Sequence, residues 1–266
     1  MNEILEKIMT ELGASRNLAI AYLIVGVLVG IMAVICLILE INIWIRYSRA
    51  NRKDISSKMT GIDAARFVLD RSGHPEINVR KAGFIREAIF GNHYNIYSKT
   101  VYLRGWLGRI DKKKTVTSVA LGVQKAAVAR LCEEGDTSAR IRNRLFIIGI
   151  FGPLLFIPVL LLGLVVDMLV LNEVGMFTYI CMGISGLLVI AGFIVTMLNI
   201  PVERKANKLA LEMMEEYGLA TGDELDTMKD VYKAYILSYI AEFILEILRI
   251  VQWILEIIIK IKQNDK

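Results

Sequence analysis

Histidine is nearly missing from this chain: among 266 residues there are two, His74 and His93. Neither has a second histidine one helical turn away, so the sequence offers no paired-imidazole metal site. Cysteine is scarce as well. Cys36, Cys132 and Cys181 fall singly, in an early apolar run, a polar middle region and a later apolar run. That spacing excludes a disulfide framework and a cysteine metal cluster, and leaves three small buried hydrophobes. No glycine-rich phosphate loop and no Ser/His/Asp arrangement is visible. The basic residues are scattered, without stacking aromatics among them or a recognised module, so nucleic acid is not an expected partner.

Charge is missing from three long stretches. One is "NLAIAYLIVGVLVGIMAVICLIL" between Arg16 and Glu40, and a second is "LFIIGIFGPLLFIPVLLLGLVV" between Arg144 and Asp167. The third lies between Glu173 and Glu203, centred on "YICMGISGLLVIAGFIVTML". Each can cross about 30 Å of hydrocarbon at about 1.5 Å per residue. A hydrophobic content of 55% and a mean hydropathy of +0.50 agree with an integral membrane protein. The residues ahead of the first run, "MNEILEKIMTELGASR", mix acids with bases, and the run outlasts a signal-peptide core. The expectation is an uncleaved anchor.

What is present is an excess of positive charge, formally +5, concentrated between the first two runs. Arg46 to Lys53 and Arg140 to Arg144 abut the spans, and "ERKANK" follows the third, whereas the outer loop "DMLVLNEVGMFT" has no Lys or Arg. The positive-inside bias therefore predicts a cytoplasmic middle region, with anionic lipids as a partner of its basic surface. The predicted fold is a predominantly α-helical integral membrane protein with three transmembrane helices, a C-terminal hydrophobic or amphipathic helix and a small α+β subdomain. Its parts are 1–46 (N-terminal segment and first span), 47–144 (cytoplasmic subdomain), 145–200 (transmembrane hairpin) and 201–266 (C-terminal helices). In the last part Glu242, Glu246, Arg249, Glu256 and Lys260 fall in one helical stripe. That helix either lies in the headgroup plane or inserts with the stripe against protein.

Within 47–144, "TGIDAARFVLDRSG" reads as an amphipathic helix with Thr60 as N-cap and Gly73 as its stop. "EINVRKAG" alternates like a strand, and "HYNIYSKTVYLRG" reads as a hairpin turning near Asn95 to Ser98. Asp111 is the expected cap of a helix running through "VTSVALGVQKAAVARL" to about Glu134, closed by Gly135.

This order resembles the YugP-like membrane zinc metallopeptidases over nearly the whole chain. The resemblance rests on Thr60-Gly61 with Ala64-Ala65-Arg66 and Leu69-Asp70, on the His93-Tyr94 hairpin with Thr100-Val101 and Leu103, and on Pro201-Val202-Glu203. It implies a peptidase whose helix over 116–131 carries H-E-x-x-H, two histidines for zinc and a glutamate as general base. Aligned on its apolar residues, this chain has Leu121, Gly122 and Lys125 there, and a slip of one residue brings no histidine. Glu203 stands as the third ligand, with Lys205 where the family has an acid.

The resemblance thus implies a relict site made of Leu121, Gly122, Lys125, Glu203 and Lys205, with no catalytic residue, no metal ligand set and no cofactor, zinc binding being lost. His93 is either a cleft residue or an ordinary hairpin histidine. The expected function is a catalytically inactive homologue in the plasma membrane of a bacterium that binds or scaffolds a membrane protein or peptide segment, including an active paralogue. The competing readings are an active peptidase with other ligands or a paralogue's help, and a structural protein that organises anionic lipid. If Lys125 supplies the charge that zinc would, it should lie within about 4 Å of Glu203, with Lys205 as the alternative cation and a solvent-facing Lys125 as the plain one. Lys125→Met should then be worse than Lys125→Met with Glu203→Gln, and Leu121→His, Gly122→Glu and Lys125→His together should restore zinc binding.

Overall fold

The computed structural model describes residues 15–106, 109–170 and 175–264. The N-terminal segment read as the flank of an uncleaved anchor, and residues 171–174 of the loop expected on the outer face, lie outside them. The chain forms two compact units. One contains residues up to Trp44 together with the chain from Leu237. The other is continuous, Ile45–Ile236.

The first unit is built from the apolar length of α1 (Arg16–Ala50) and the distal part of α8 (Gly222–Asn264). Ile24, Val27, Ile31, Val34, Leu37 and Ile38 of α1 are all more than half exposed, as expected of a helix whose solvent is lipid rather than water. Ser238 Oγ lies 2.9 Å from Glu40 Oε1 and 3.0 Å from Glu242 Oε1. The first charge of the α8 stripe is therefore held against protein.

The second unit centres on α4 (Val116–Glu133), which is buried almost without interruption from Val116 to Ala129. Around it pack α2 (Gly61–Arg71), α5 (Thr137–Arg144), the C-terminal part of α7 (Met176–Glu216), the start of α8 and a three-stranded sheet. The sheet contains β1 (Asn78–Lys81), β2 (His93–Asn95) and β3 (Thr100–Leu103) in the order β1-β3-β2. β2 and β3 form the expected antiparallel hairpin, with Asn95 Oδ1 accepting from the N–H groups of Tyr97 and Ser98 in the turn. β1 joins β3 in parallel, Val79 opposite Val101.

Thr60 caps α2 as expected, its side chain accepting from Asp63 N. Arg66 then ties α2 to β1, bonding Asp70 at 3.0 Å and the Ile77 carbonyl. The cap expected at Asp111 is corrected: α4 starts four residues later, where Thr115 accepts from Ser118 N, and Asp111 pairs with Lys81 at 3.3 Å. Two short helices went unread in the sequence, α3 (Phe84–Phe90) and α5, the latter capped by Asp136 on Ala139 N.

Two helices, α1 and α7, are each long and apolar enough to cross a membrane. The third apolar run forms α6 (Phe146–Val170), whose segments Phe146–Gly152 and Leu154–Val170 meet at 63°. Pro153, which has no N–H to give the helix, stands at that break. α6 runs antiparallel to α7 in close contact. A Cβ added at Gly149, Gly152 or Gly163 would come within 2.6–2.7 Å of Val195, Leu188 and Cys181 respectively, the small-residue packing of membrane helices. Asp167 is fully buried and accepts from the N–H groups of Gly175 (2.9 Å) and Thr178 (2.7 Å), so it caps α7 from the end of α6.

Candidate functional site

At about 1.5 Å per residue the 41 residues of α7 extend about 60 Å, roughly twice a hydrocarbon core. Its C-terminal half therefore continues past the apolar stretch and packs on α4, α5 and the start of α8. Pro201, Val202 and Glu203 mark the change, and Val202 and Glu203 are both buried.

Glu203 has 3% of its side chain exposed and is surrounded by donors. Lys125 Nζ of α4 lies 3.0 Å from Glu203 Oε1, and Arg142 Nη2 of α5 lies 2.9 Å from the same oxygen. The second oxygen accepts from the Gln124 carboxamide. Arg142 spends its other donors on Asn199 Oδ1 (3.0 Å) and Asn143 Oδ1 (3.4 Å). One carboxylate thus joins three helices and holds two cations, and the group carries a formal charge of +1. Burial, together with Arg142 alongside, pushes the Lys125 ammonium below the ordinary lysine value, and Glu203 opposes the shift. Behind α4, Tyr232 Oη donates to Ala120 O at 2.6 Å. Its hydroxyl is pushed up by burial and by the Glu203 charge.

The residues expected at a relict site are only partly brought together. Lys125 and Glu203 meet. Lys205 does not join them: it pairs with Asp136 at 2.5 Å, so Arg142 and not Lys205 is the second cation. Gly122 does not open space beside Lys125. It lies against the N-terminus of α2, where a Cβ would stand 2.1 Å from Gly61 O. Leu121 belongs to the hydrophobic core. Gln124, one of the residues that interrupt the apolar run, is in contact with Glu203, and nothing in the sequence separates Arg142 from its basic neighbours.

His93 is 6% exposed, stacked between Tyr102 (5.2 Å) and Phe146 (5.6 Å), with Nδ1 at 3.2 Å from Gly91 O. Burial lowers its pKa to about 4, the Gly91 contact works against this, and Arg86, Lys125 and Arg142 add to the depression. The depression beside it, lined by Arg86, Phe90, Tyr97, Asn143 and Ile147 among others, has a cavity volume of about 70 Å³. The geometry is that of a packed hairpin histidine.

The residues present do not fit a zinc ion. Catalytic zinc takes three protein ligands and an open position. Here the single carboxylate is already committed to an ammonium and a guanidinium, and Gln124 turns its N–H toward it. His74 is engaged with Glu76 at 3.2 Å. Among the described residues no three His, Cys, Asp or Glu side chains converge.

No curated protein matches the chain, and neither does any solved structure. The model of a family described as "Putative neutral zinc metallopeptidase" matches residues 24–258, which includes α4, the sheet, both α6 and α7, and Glu203. The match covers most of the chain, and the chain belongs to this family of neutral zinc metallopeptidases.

Proposed function

We propose that this chain is a catalytically inactive member of its family, kept as a binding or scaffolding subunit in a bacterial-type plasma membrane, with 47–144 cytoplasmic and α6 as a third, bent span. One observation carries the reading: the carboxylate that a metal would use is neutralised by the chain's own Lys125 and Arg142. The same contacts suggest where the lost motif lay. A histidine that shares a metal with Glu203 has to reach it from α4, as Gln124 and Lys125 both do, but the register that uses Lys125 needs a glutamate at 122, which would collide with Gly61. H-E-x-x-H placed from Gln124 falls on Lys125 and Val128, three residues beyond the alignment on apolar residues, and there too no histidine stands. The partner is a membrane protein or a peptide segment, an active paralogue included.

Metal analysis of the purified, dialysed protein tests the inactive reading. Well under one zinc per chain and no chelator-sensitive proteolysis are expected, and stoichiometric zinc would overturn it. Purification in mild detergent then separates a scaffold from a lipid organiser. The scaffold retains a protein partner, whereas the organiser retains anionic phospholipid alone.

A further inference from the structure

Helix α3 presents its side chains in the reverse of the order that water demands. Its buried residue is an acid, Glu87, whose carboxylate accepts from the N–H groups of Gly105 (2.9 Å) and Trp106 (2.7 Å) and so fixes the helix to the loop after β3. Its apolar residues face outward: Phe84, Ile85 and Ile89 are 59%, 73% and 44% exposed. Trp106, 62% exposed, extends the patch with its ring 6.2 Å from that of Phe84. Single exposed apolar residues are ordinary, but a contiguous aromatic and aliphatic face on a pinned helix marks a surface with a partner.

The other end of α3 says which partner. The Phe90 ring packs at 5.9 Å on Phe146 and 6.0 Å on Phe151, both in the first leg of α6. α3 is thereby placed at the level where the chain passes from Arg144 into a 25-residue apolar helix. Cations border the patch. Arg86 lies over the Tyr102 ring at 4.1 Å, Lys81 lies over Trp106 at 5.4 Å, and the Arg104 guanidinium lies beside Gly91 at the end of α3. An apolar face with tryptophan, a Lys/Arg rim and a position at the mouth of a membrane helix are the three marks of an interfacial segment.

We propose that α3 and Trp106 bed into the headgroup and upper acyl zone of the bilayer that α6 enters, with Phe84, Ile85 and Ile89 in the lipid and Arg86 and Arg104 on anionic headgroups. The metallopeptidase-like unit is then held to the membrane by a side contact as well as by its spanning helices. This placement does not depend on whether the chain is an enzyme.

The test uses the full chain. Of its three tryptophans, Trp44 and Trp253 are changed to Phe, leaving Trp106, and the protein is reconstituted in phosphatidylcholine–phosphatidylglycerol vesicles whose acyl chains are brominated at a shallow or a deep position. Trp106 emission should be quenched, more by shallow than by deep bromine. Ile85→Asp with Ile89→Asp should remove most of that quenching while the protein stays in the vesicles with unchanged helicity. No quenching in the parent overturns the proposal. So does quenching that survives the double change, because Trp106 then reaches lipid without the α3 face. If the single-tryptophan protein fails to fold, a bimane on Ile85→Cys, with Cys36 and Cys181 changed to Ala, reads the same contrast with the native tryptophans in place.

Discussion

Glu203 has no water to turn to, so its charge state depends on its three neighbours. If Lys125 alone faced it, losing the ammonium would strand a buried anion, and a second change at Glu203 would relieve the cost. Arg142 at 2.9 Å reverses that order. Lys125→Met leaves a neutral Arg142–Glu203 pair and is expected to be the mildest change, whereas Glu203→Gln strands two cations and should cost about 3–5 kcal/mol, the usual penalty for breaking a buried pair. Lys125→Met with Glu203→Gln should fall between them, because it removes one of two like charges. Denaturation midpoints of the three variants check the order; Lys125→Met proving the worst would mean that Arg142 does not hold the carboxylate. His93 makes a separate prediction. Its pKa is about 4 in the fold against about 6.5 unfolded, so the unfolded chain binds the extra proton between these values. Stability from neutral His93 is complete above pH 6.5 and is lost as pH falls toward 4, by roughly 3 kcal/mol at about 1.4 kcal/mol per tenfold. Melting followed from pH 7 to pH 4 should show a shallower decline in His93→Gln than in the parent; identical slopes would remove His93 as the cause.

Elements differ in how openly the sequence declares them. α2 was legible because Thr60, an amphipathic stripe and Gly73 agree, and the hairpin because Asn95 supplies its own turn chemistry. α3 was hidden by its inversion, since a helix that buries Glu87 and exposes Phe84 and Ile85 gives no core-facing period. Arg142 was hidden in a different way. It sits among arginines that topology already explains, and only the fold puts it on Glu203, 61 residues away. The motif register is not fixed by the sequence, because flanking apolar residues repeat along α4 at helical spacing and fit several registers equally well. The proposed placement from Gln124 rests on the tight packing of these glycines: a Cβ on Gly122 would lie 2.1 Å from Gly61 O, and one on Gly61 would lie 2.4 Å from Ser118 O. Gly122→Ala should therefore destabilise strongly, by the 1–3 kcal/mol of overpacking or more. The change Leu121→His, Gly122→Glu, Lys125→His should fail to fold. In contrast Gln124→His, Lys125→Glu and Val128→His, with Arg142→Leu to free the carboxylate, should take up zinc in a metal assay. A folded variant of this second kind that stays metal-free would refute the placement from Gln124.

At the scale of the whole molecule the open quantity is orientation, which follows from charge rather than packing. Asp167 caps α7 at the Arg- and Lys-free end of the α6–α7 hairpin, while Arg140, Arg142 and Arg144 crowd its other end. Anionic lipid and the membrane potential both favour the basic end on the cytoplasmic side. The Glu203 cluster and the hairpin turn of β2 and β3 belong to the same continuous unit as that basic end, so they should share its side of the membrane. Two single cysteines, in a background of Cys36→Ala and Cys181→Ala with Cys132 left buried, can decide this in intact cells. Gly175→Cys, next to the α7 cap, should react rapidly with a membrane-impermeant maleimide. Ser98→Cys, exposed at the hairpin tip, should react only after the cells are opened. If the two exchange behaviour, the unit faces outward and the charge rule has been outweighed by the helices before it. If both react from outside, the bent α6 does not cross, and α6 with α7 enters and leaves by the same face. Because the α6–α7 contact runs from Gly149 to Gly163, that last arrangement would require α7 to turn back inside the bilayer despite an unbroken helix from Met176 to Glu216, which is why rapid labelling at 175 alone is the expected result.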